Sequence, residues 1–503
     1  MTPSPELNAL ARIDSHARSN PDHPAVVFGE RTITRGELFE HSVQLARQFA
    51  KQGLGRGGRV CVHAENHPDL YAVYLATLRC GAALFPINAE LAADEVAYIL
   101  DKSDPDLFIR DDASAERIPE LEPATHKRPK ILTLEGLVKE RFAHSNAPFK
   151  PELVHRSADD LALVVHTSGT TARPKGVAAS DAMEVRSAQA LHRVWKITPH
   201  DRSVCALPLS YTFGMFSASY VALSAGASVL LLRKFNPVQV LEAIEAHRAS
   251  YMVGVPTMYA MMLEHVQQTG RRYDLSSIRM MAASGAPAAP QLKRDFESVF
   301  GVKLRDYYAL SECTPIFSFD LERDQWPPLG SVGPLVEGAN VRLVDDAGHD
   351  VPDGETGELL VRSERLMTGY YLDPERTVEA IEDGWFRTRD LAWRDPAGNF
   401  FIVGRDRDQV ISGGHKIAST EVEGTIAQMP EVARVAVVGT PHPVMGETVK
   451  AVVVVKAGRS CTADAVMAYC SARLAAYKVP RTVEFRTDLP VSPAGKVLKR
   501  QLV

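Results

Sequence analysis

The chain reads as an α/β protein: a large N-terminal domain of α/β sheets with a β-rich subdomain, then a small α+β domain at the C-terminal end. Three observations predict this organisation. Through roughly the first 300 residues, short apolar runs of strand character alternate with helical patterns, which favours substantially parallel sheets. From about residue 339, tight turns and short strands take over. After the polar stretch DRDQ at 406–409 a separate compact pattern begins, and 503 residues exceed what one hydrophobic core usually organises.

Taken in order, residues 37–51 carry Leu38, Val43, Leu45 and Phe49 at helical spacing, 59–63 read as a strand, and 69–80 as a buried helix closing at Gly81. Residues 112–157, rich in Glu, Pro, Lys and His, show no clear periodicity and read as a surface excursion. The run LALVVH at 161–166 is a buried strand. Strands at 204–207, 227–232, 251–255 and 278–283 follow, with helices at 235–247 and 291–300 between them. The β-rich part has strands at 339–344, 358–361 and 399–403, with turns at 346–348 and 353–354. In the last unit a helix starts near Thr420, where Thr420 and Glu423 match a capping box. Strands at 433–438 and 449–455, a helix at 462–474 and a strand at 482–485 complete it. The expected division is 1–404 and 409–503, joined by a linker at 405–408.

A net charge of -5 argues against bulk attraction to nucleic acid or to an anionic membrane. The first twenty residues lack the basic head and apolar core of a signal peptide, and no run approaches the ~20 apolar residues of a membrane span. A cytoplasmic protein is expected. Six cysteines without CxxC spacing read as reduced thiols, not as a disulfide frame or a zinc site.

The stretch TSGTTARPKG at 167–176 begins where the 161–166 strand ends. Thr167, Ser168, Thr170 and Thr171 supply hydroxyls, Gly169 allows close backbone approach and Lys175 is a point charge, a set able to surround a polyphosphate. The spacing is not the Walker pattern, and alone such a loop is as readily a solvated turn. Four later motifs decide. DYYALSE at 306–312 offers an aromatic face in Tyr308, a hydroxyl in Ser311 and a hard carboxylate in Glu312 suited to Mg2+ beside phosphates, although Tyr308 taken alone reads first as a packing residue. WFRTRD at 385–390 ends in an aspartate after a predicted turn. GRDRDQVISGGHKIASTEVE at 404–423 and LPVSPAGKVLKR at 489–500 complete the series, the last placing Lys496 on a Pro/Gly turn.

With these five motifs in order, the chain resembles, nearly end to end, the adenylate-forming superfamily of acyl-CoA synthetases, peptide-synthetase adenylation domains and luciferases. The resemblance implies a carboxylate–CoA ligase using ATP, Mg2+ and coenzyme A, with a small C-terminal domain that is mobile between an acyl-AMP step and a thioester step. It implies that Thr167, Ser168, Gly169, Thr170, Thr171 and Lys175 hold the phosphates. Ser284, Gly285, Ala286 and Pro287, with Tyr307 and Tyr308, would enclose the adenine, and Asp306 would meet its amine. Ser311 would contact the α-phosphate, Glu312 the metal, and Asp390 and Arg405 the ribose. Lys496 would bridge carboxylate and α-phosphate as negative charge builds in the transition state. Arg407 takes the hinge position. Gly413 and Gly414 would line a pantetheine passage, with Tyr477, Lys478 and Arg481 near the CoA nucleotide.

By the same resemblance the acyl pocket is formed by Tyr211, Phe213, Gly214, Val255, Gly285, Ala309 and Leu310, an uncharged lining suited to an aliphatic or aromatic monocarboxylic acid. The sequence departs from the family pattern at Ala172, Ala309 and Arg389, where glycine is usual, and at Tyr211, where histidine is common. None of these removes a charged catalytic group. The acceptor is free CoA or an acyl carrier protein, and a homodimer is compatible with the pattern. A fatty acyl-AMP ligase loading a carrier protein is the alternative; that class is distinguished mainly by an insertion in the large domain, which is not recognised here. An amino-acid-activating domain is disfavoured because LPLSYTFGM at 207–215 has no acid to pair a substrate ammonium. A non-catalytic nucleotide-binding module is opposed by Lys496 and Glu312.

Overall fold

Two seven-stranded sheets organise the large domain in the computed structural model, which describes residues 7–119, 121, 128–143, 156–167, 174–323, 325–405, 409–412, 415–442, 445–474, 476–491 and 497–503. The first sheet runs Leu304–Asp306, Met280–Ala283, Tyr251–Gly254, Arg202–Cys205, Ser228–Leu231, Pro24–Phe28, Arg31–Thr34, and is parallel up to the closing hairpin. Ser228–Leu231, Tyr251–Gly254 and Met280–Ala283 are buried at every position, which is why they read as unbroken apolar runs instead of alternating ones. The helices Pro237–His247, Pro256–Thr269 and Pro290–Phe300 each open on a proline, at the position where no backbone N–H is needed, and the last two stop at Gly270 and Gly301 in the left-handed region.

The second sheet runs Gly369–Tyr370, Lys175–Ser180, Leu161–Thr167, Ala83–Asn88, Arg59–Ala64, Leu107–Arg110, Lys130–Thr133. Its Leu161–Thr167 and Lys175–Ser180 strands form an antiparallel hairpin in which Thr167 lies opposite Lys175, so the two ends of the phosphate motif are held together. The short strand Gly369–Tyr370 returns from later in the chain and pairs with this hairpin, Tyr370 opposite Val177. Helix Asp69–Arg79 is buried along its whole length and belongs to the main core.

A third, antiparallel sheet contains Ala339–Val344, Gly357–Ser363, Trp385–Arg394 and Ile381–Glu382, with Phe400–Arg405 paired along Trp385–Arg394. The small C-terminal domain has a five-stranded sheet and its own core around Val410, Ile417, Val422, Val437 and Val453. Among the described residues no helix is long and apolar enough to cross a membrane. All six cysteines are free.

Three of the differences from the sequence expectation are instructive. The excursion at 112–157 contains helix Asp112–Arg117, capped by Asp111, then strand Lys130–Thr133 and helix Leu134–Ala143. That strand is a mostly exposed sheet edge, so it carries no apolar run to reveal it. Residues 385–394 form a ten-residue strand, not a turn leading to an aspartate; its inward positions are Phe386, Thr388, Asp390 and Ala392, and the two polar ones hide the alternation. The capping box at Thr420 is replaced by longer-range bonds. The Thr420 hydroxyl donates to the Val403 carbonyl, while Glu423 accepts from the Val437 amide at 2.7 Å and pairs with Lys499 at 2.7 Å.

Candidate active site

The ends of the parallel strands in the first sheet and the Leu161–Thr167 hairpin of the second bring the motifs together. Lys175, the first residue of strand Lys175–Ser180, places its ammonium 4.8 Å from the centre of the Tyr370 ring. The Tyr370 hydroxyl in turn donates to Glu312 Oε1 at 3.0 Å, and the Glu312 carbonyl accepts from the Met367 amide at 2.8 Å. A cation from one motif and a carboxylate from another therefore meet on either side of one tyrosine. With one oxygen on Tyr370, Glu312 presents a hard carboxylate that fits Mg2+ bound jointly by protein and substrate phosphates. Among the described residues there is no group of three or more His, Cys, Asp or Glu that would form an all-protein metal cage.

The ribose and adenine candidates converge as well. Asp390 is nearly buried in the middle of its strand, lies opposite Arg405 across the ladder, and accepts from the Tyr308 hydroxyl. Its amide donates to Thr388 Oγ1 at 3.0 Å, and that hydroxyl donates to the Leu359 carbonyl at 2.7 Å, which fixes the strand locally. Ser284 is buried directly after strand Met280–Ala283, while Gly285, Ala286 and Pro287 are exposed beside it. Asp306 ends the neighbouring strand opposite Ala283, and burial pushes its carboxyl up to about 6 against the opposing pull of the Lys293 ammonium. Tyr307 points to the other side, into an edge-to-face contact with Trp195 at 5.0 Å and with Phe213 at 6.0 Å. Its ring packs on the core, on the face opposite the one Asp306 uses to meet Lys293.

Of the acyl-pocket candidates, Tyr211, Phe213, Val255 and Ala309 share one core cluster. A methyl at Gly285 would lie 3.4 Å from Val255 Cγ1, so these two line the same space. Gly214 sits where a Cβ would come within 2.2 Å of the Pro208 carbonyl oxygen, a contact no side chain can make. Residues Phe213–Tyr220 form a π-helix, an irregularity frequent at functional sites. Burial pushes the Tyr211 hydroxyl up to about 12, and it remains a neutral hydrogen-bonding group. Leu310 instead packs toward Tyr308, Phe317 and Leu359 and toward Val177 and Tyr370. A small cavity adjoins Ser311 and Thr212 and is lined by none of the seven expected acyl residues; Glu184 and Ser187 form its polar end.

In the C-terminal domain, Lys478 pairs with Glu421 at 2.7 Å and Arg481 is exposed. Ser168, Gly169, Thr170, Thr171, Ala172, Arg407, Gly413, Gly414 and Lys496 lie outside the described residues, as do the side chains of Arg405 and Tyr477. Sequence reasoning missed Tyr370, which sits in an unremarked MTGYY segment, and Lys293, which in QLKRDF reads as an ordinary exposed helix lysine.

The family model "AMP-binding enzyme" matches residues 13–371 and its C-terminal-domain model matches residues 421–496. The chain therefore belongs to the AMP-binding enzyme family, the adenylate-forming enzymes, and is an acid–thiol ligase using ATP, Mg2+ and coenzyme A. It is 32% identical over 486 residues to a feruloyl-CoA synthase of an Amycolatopsis species, covering 97% of this chain and 96% of that one. To the indoleacetate–CoA ligase of Aromatoleum aromaticum it is 33% identical over 503 residues, with 98% and 97% covered. Among solved structures, ATP-bound MatB from Rhodopseudomonas palustris superposes with a TM-score of 0.90 at 31% identity, with 98% of each chain covered.

Proposed function

We propose that the chain is a carboxylate–CoA ligase for an apolar aliphatic or aromatic monocarboxylic acid, forming acyl-AMP and pyrophosphate and then acyl-CoA and AMP. The observation that carries it is the meeting of Lys175 and Glu312 across Tyr370, which sets a cation and a metal-fitting carboxylate on one polyphosphate path. In this reading residues 167–175 hold the β- and γ-phosphates, Ser311 the α-phosphate, and Asp390 with Arg405 the ribose. Lys496 neutralises charge as the carboxylate displaces pyrophosphate. When bound, Mg2+ supplies charge neutralisation on the phosphates.

The mixed anhydride makes the acid attackable, since AMP is a far better leaving group than oxide. Residues 1–404 act as the substrate-binding domain and 409–503 as the moving one, about a hinge at 405–408 that includes Arg407. Gly413, Gly414, Tyr477, Lys478 and Arg481 serve the CoA step. Lys478 leaves Glu421 to do so.

Tyr211, Phe213, Val255, Gly285 and Ala309 put no charge beside the acid, which favours an uncharged chain or ring, and two of the relatives above are named for aryl acids. Free CoA is the acceptor in this proposal. A cytoplasmic location goes with it, consistent with six unpaired cysteines. The test is pyrophosphate release over a panel of fatty, aryl and dicarboxylic acids, with and without CoA. Multiple turnovers to acyl-CoA with a monocarboxylic acid are expected. Accumulation of acyl-AMP that ignores CoA but acylates a carrier protein would replace the ligase reading with the carrier-loading one.

A further inference from the structure

A buried ion pair lies beneath the exposed loop at 285–287. Lys293, on helix Pro290–Phe300, is 0% exposed, and its ammonium donates to Asp306 Oδ2. Asp306 is 4% exposed; the Ala288 amide favours its ionised form, and among the described residues its other oxygen, Oδ1, has no hydrogen-bond partner. A buried polar atom left without a partner is destabilising, more so when charged, so the arrangement calls for a donor from a ligand. The position fits: Asp306 ends a parallel strand, and ligands of such sheets sit beyond the carboxyl ends of the strands.

The remaining groups around the carboxylate are otherwise engaged. Glu297, on the same helix as Lys293, turns to Arg305 at 3.7 Å. Arg305 flanks Asp306 on its own strand and donates to the Leu304 carbonyl. Tyr259, from helix Pro256–Thr269, donates to the Ala282 carbonyl at 2.8 Å. Lys293 is therefore the cation hydrogen-bonded to Asp306.

We propose that Lys293 is a positioning residue for nucleotide selection: it holds Asp306 ionised and turned so that Oδ1 accepts a hydrogen bond from the exocyclic amine of adenine. This rests on the ATP-dependent reading above and deepens it. Lys293 does not touch the nucleotide. Without its ammonium, burial favours the neutral carboxyl, which is a weaker acceptor and carries a proton that an amine donor cannot take up. A purine lacking the amine makes no such bond. Guanine turns a carbonyl oxygen toward Oδ1 and is repelled.

The experiment is calorimetric titration of full-length protein with ATP, with purine riboside triphosphate, which lacks the amine, and with GTP. Wild type is expected to bind ATP roughly 10- to 100-fold more tightly than purine riboside triphosphate, the range for a hydrogen bond to a charged group, and GTP most weakly. Lys293→Met should abolish that preference by weakening ATP alone. The double variant Lys293→Met/Asp306→Asn should recover most of it, because an amide carbonyl accepts without needing a counter-charge. Equal weakening of ATP and purine riboside triphosphate in a folded Lys293→Met overturns the proposal. Should that variant not fold, the wild type and the double variant decide, and absence of an ATP preference in either overturns it. If the wild type binds none of the three nucleotides, the ATP-dependent reading itself fails.

Discussion

The hydroxyl of Tyr308, in the two-stranded hairpin Tyr308–Leu310 and Cys313–Phe317, donates to Asp390 Oδ2, joining that hairpin to the middle of the third sheet's long strand across 82 residues of sequence. The pair fixes one oxygen of the carboxylate expected to meet the ribose. Tyr308→Phe keeps the ring but frees Asp390, so KM for ATP should rise roughly three- to tenfold, the scale of about one hydrogen bond, with kcat little changed. Steady-state pyrophosphate release at varied ATP measures this. An unchanged KM would mean that the bond does not orient Asp390.

Arg389 stands in the left-handed region at φ 61, directly before Asp390, and its side chain has a 4.0 Å contact to Glu379. That backbone costs an ordinary residue roughly 1–2 kcal/mol, and glycine avoids it at the expense of about 0.5–1 kcal/mol of unfolded-state freedom. Arg389→Gly should therefore melt at or slightly above the wild-type temperature. Arg389→Val, branched at the strained position, should melt several degrees below it. The reverse order would place the strain elsewhere.

Two buried histidines make stability depend on pH. His63 and His166 are pushed down to about 4 by burial, for His63 against a backbone contact with Ala89, and among the described residues neither ring nitrogen of His166 has a hydrogen-bond partner. The unfolded chain takes up these protons near 6.5 and the folded one only near 4. Their contribution is present above 6.5 and lost as pH falls from about 6.5 to about 4. His166 lies against Phe85 and close to Gly176 and should accept an aromatic replacement. His166→Phe should flatten the fall in melting temperature over that window. A slope identical to wild type would show that His166 does not titrate there.

Lys496 separates the half-reactions. Lys496→Ala should lose roughly 10²-fold or more in acyl-AMP formation, the scale of one preorganised transition-state donor. With synthetic acyl-AMP and CoA the same variant should form thioester at a near wild-type rate. Equal loss in both steps of a well-folded variant would remove the step-specific role and with it the main support for domain rotation.

The parallel sheets were legible because strands buried on both faces write continuous apolar runs, as at Tyr251–Gly254 and Met280–Ala283. The phosphate and DYYALSE motifs were legible because their chemistry is concentrated in a few adjacent residues. What escaped depends on long-range partners. Thr420 and Glu423 satisfy a local capping rule, yet Val403, Val437 and Lys499 take their polar atoms. Lys293 sits among Arg294 and Asp295 on an amphipathic helix, and its burial is visible only once Asp306 is placed beneath it. Tyr370 carries no local signal at all, since its role comes from a two-residue strand laid against Lys175–Ser180.

That two-residue strand also has a meaning for biosynthesis. Gly369 pairs with Ala178, so while the chain is being made the phosphate hairpin waits with one edge uncovered until residue 370 has left the ribosome. An unpaired edge is a template for the wrong neighbour, and contacts this distant in sequence form slowly. Truncated or stalled products ending before that point would carry most of the apolar core and an open edge, and would be the species most dependent on chaperones.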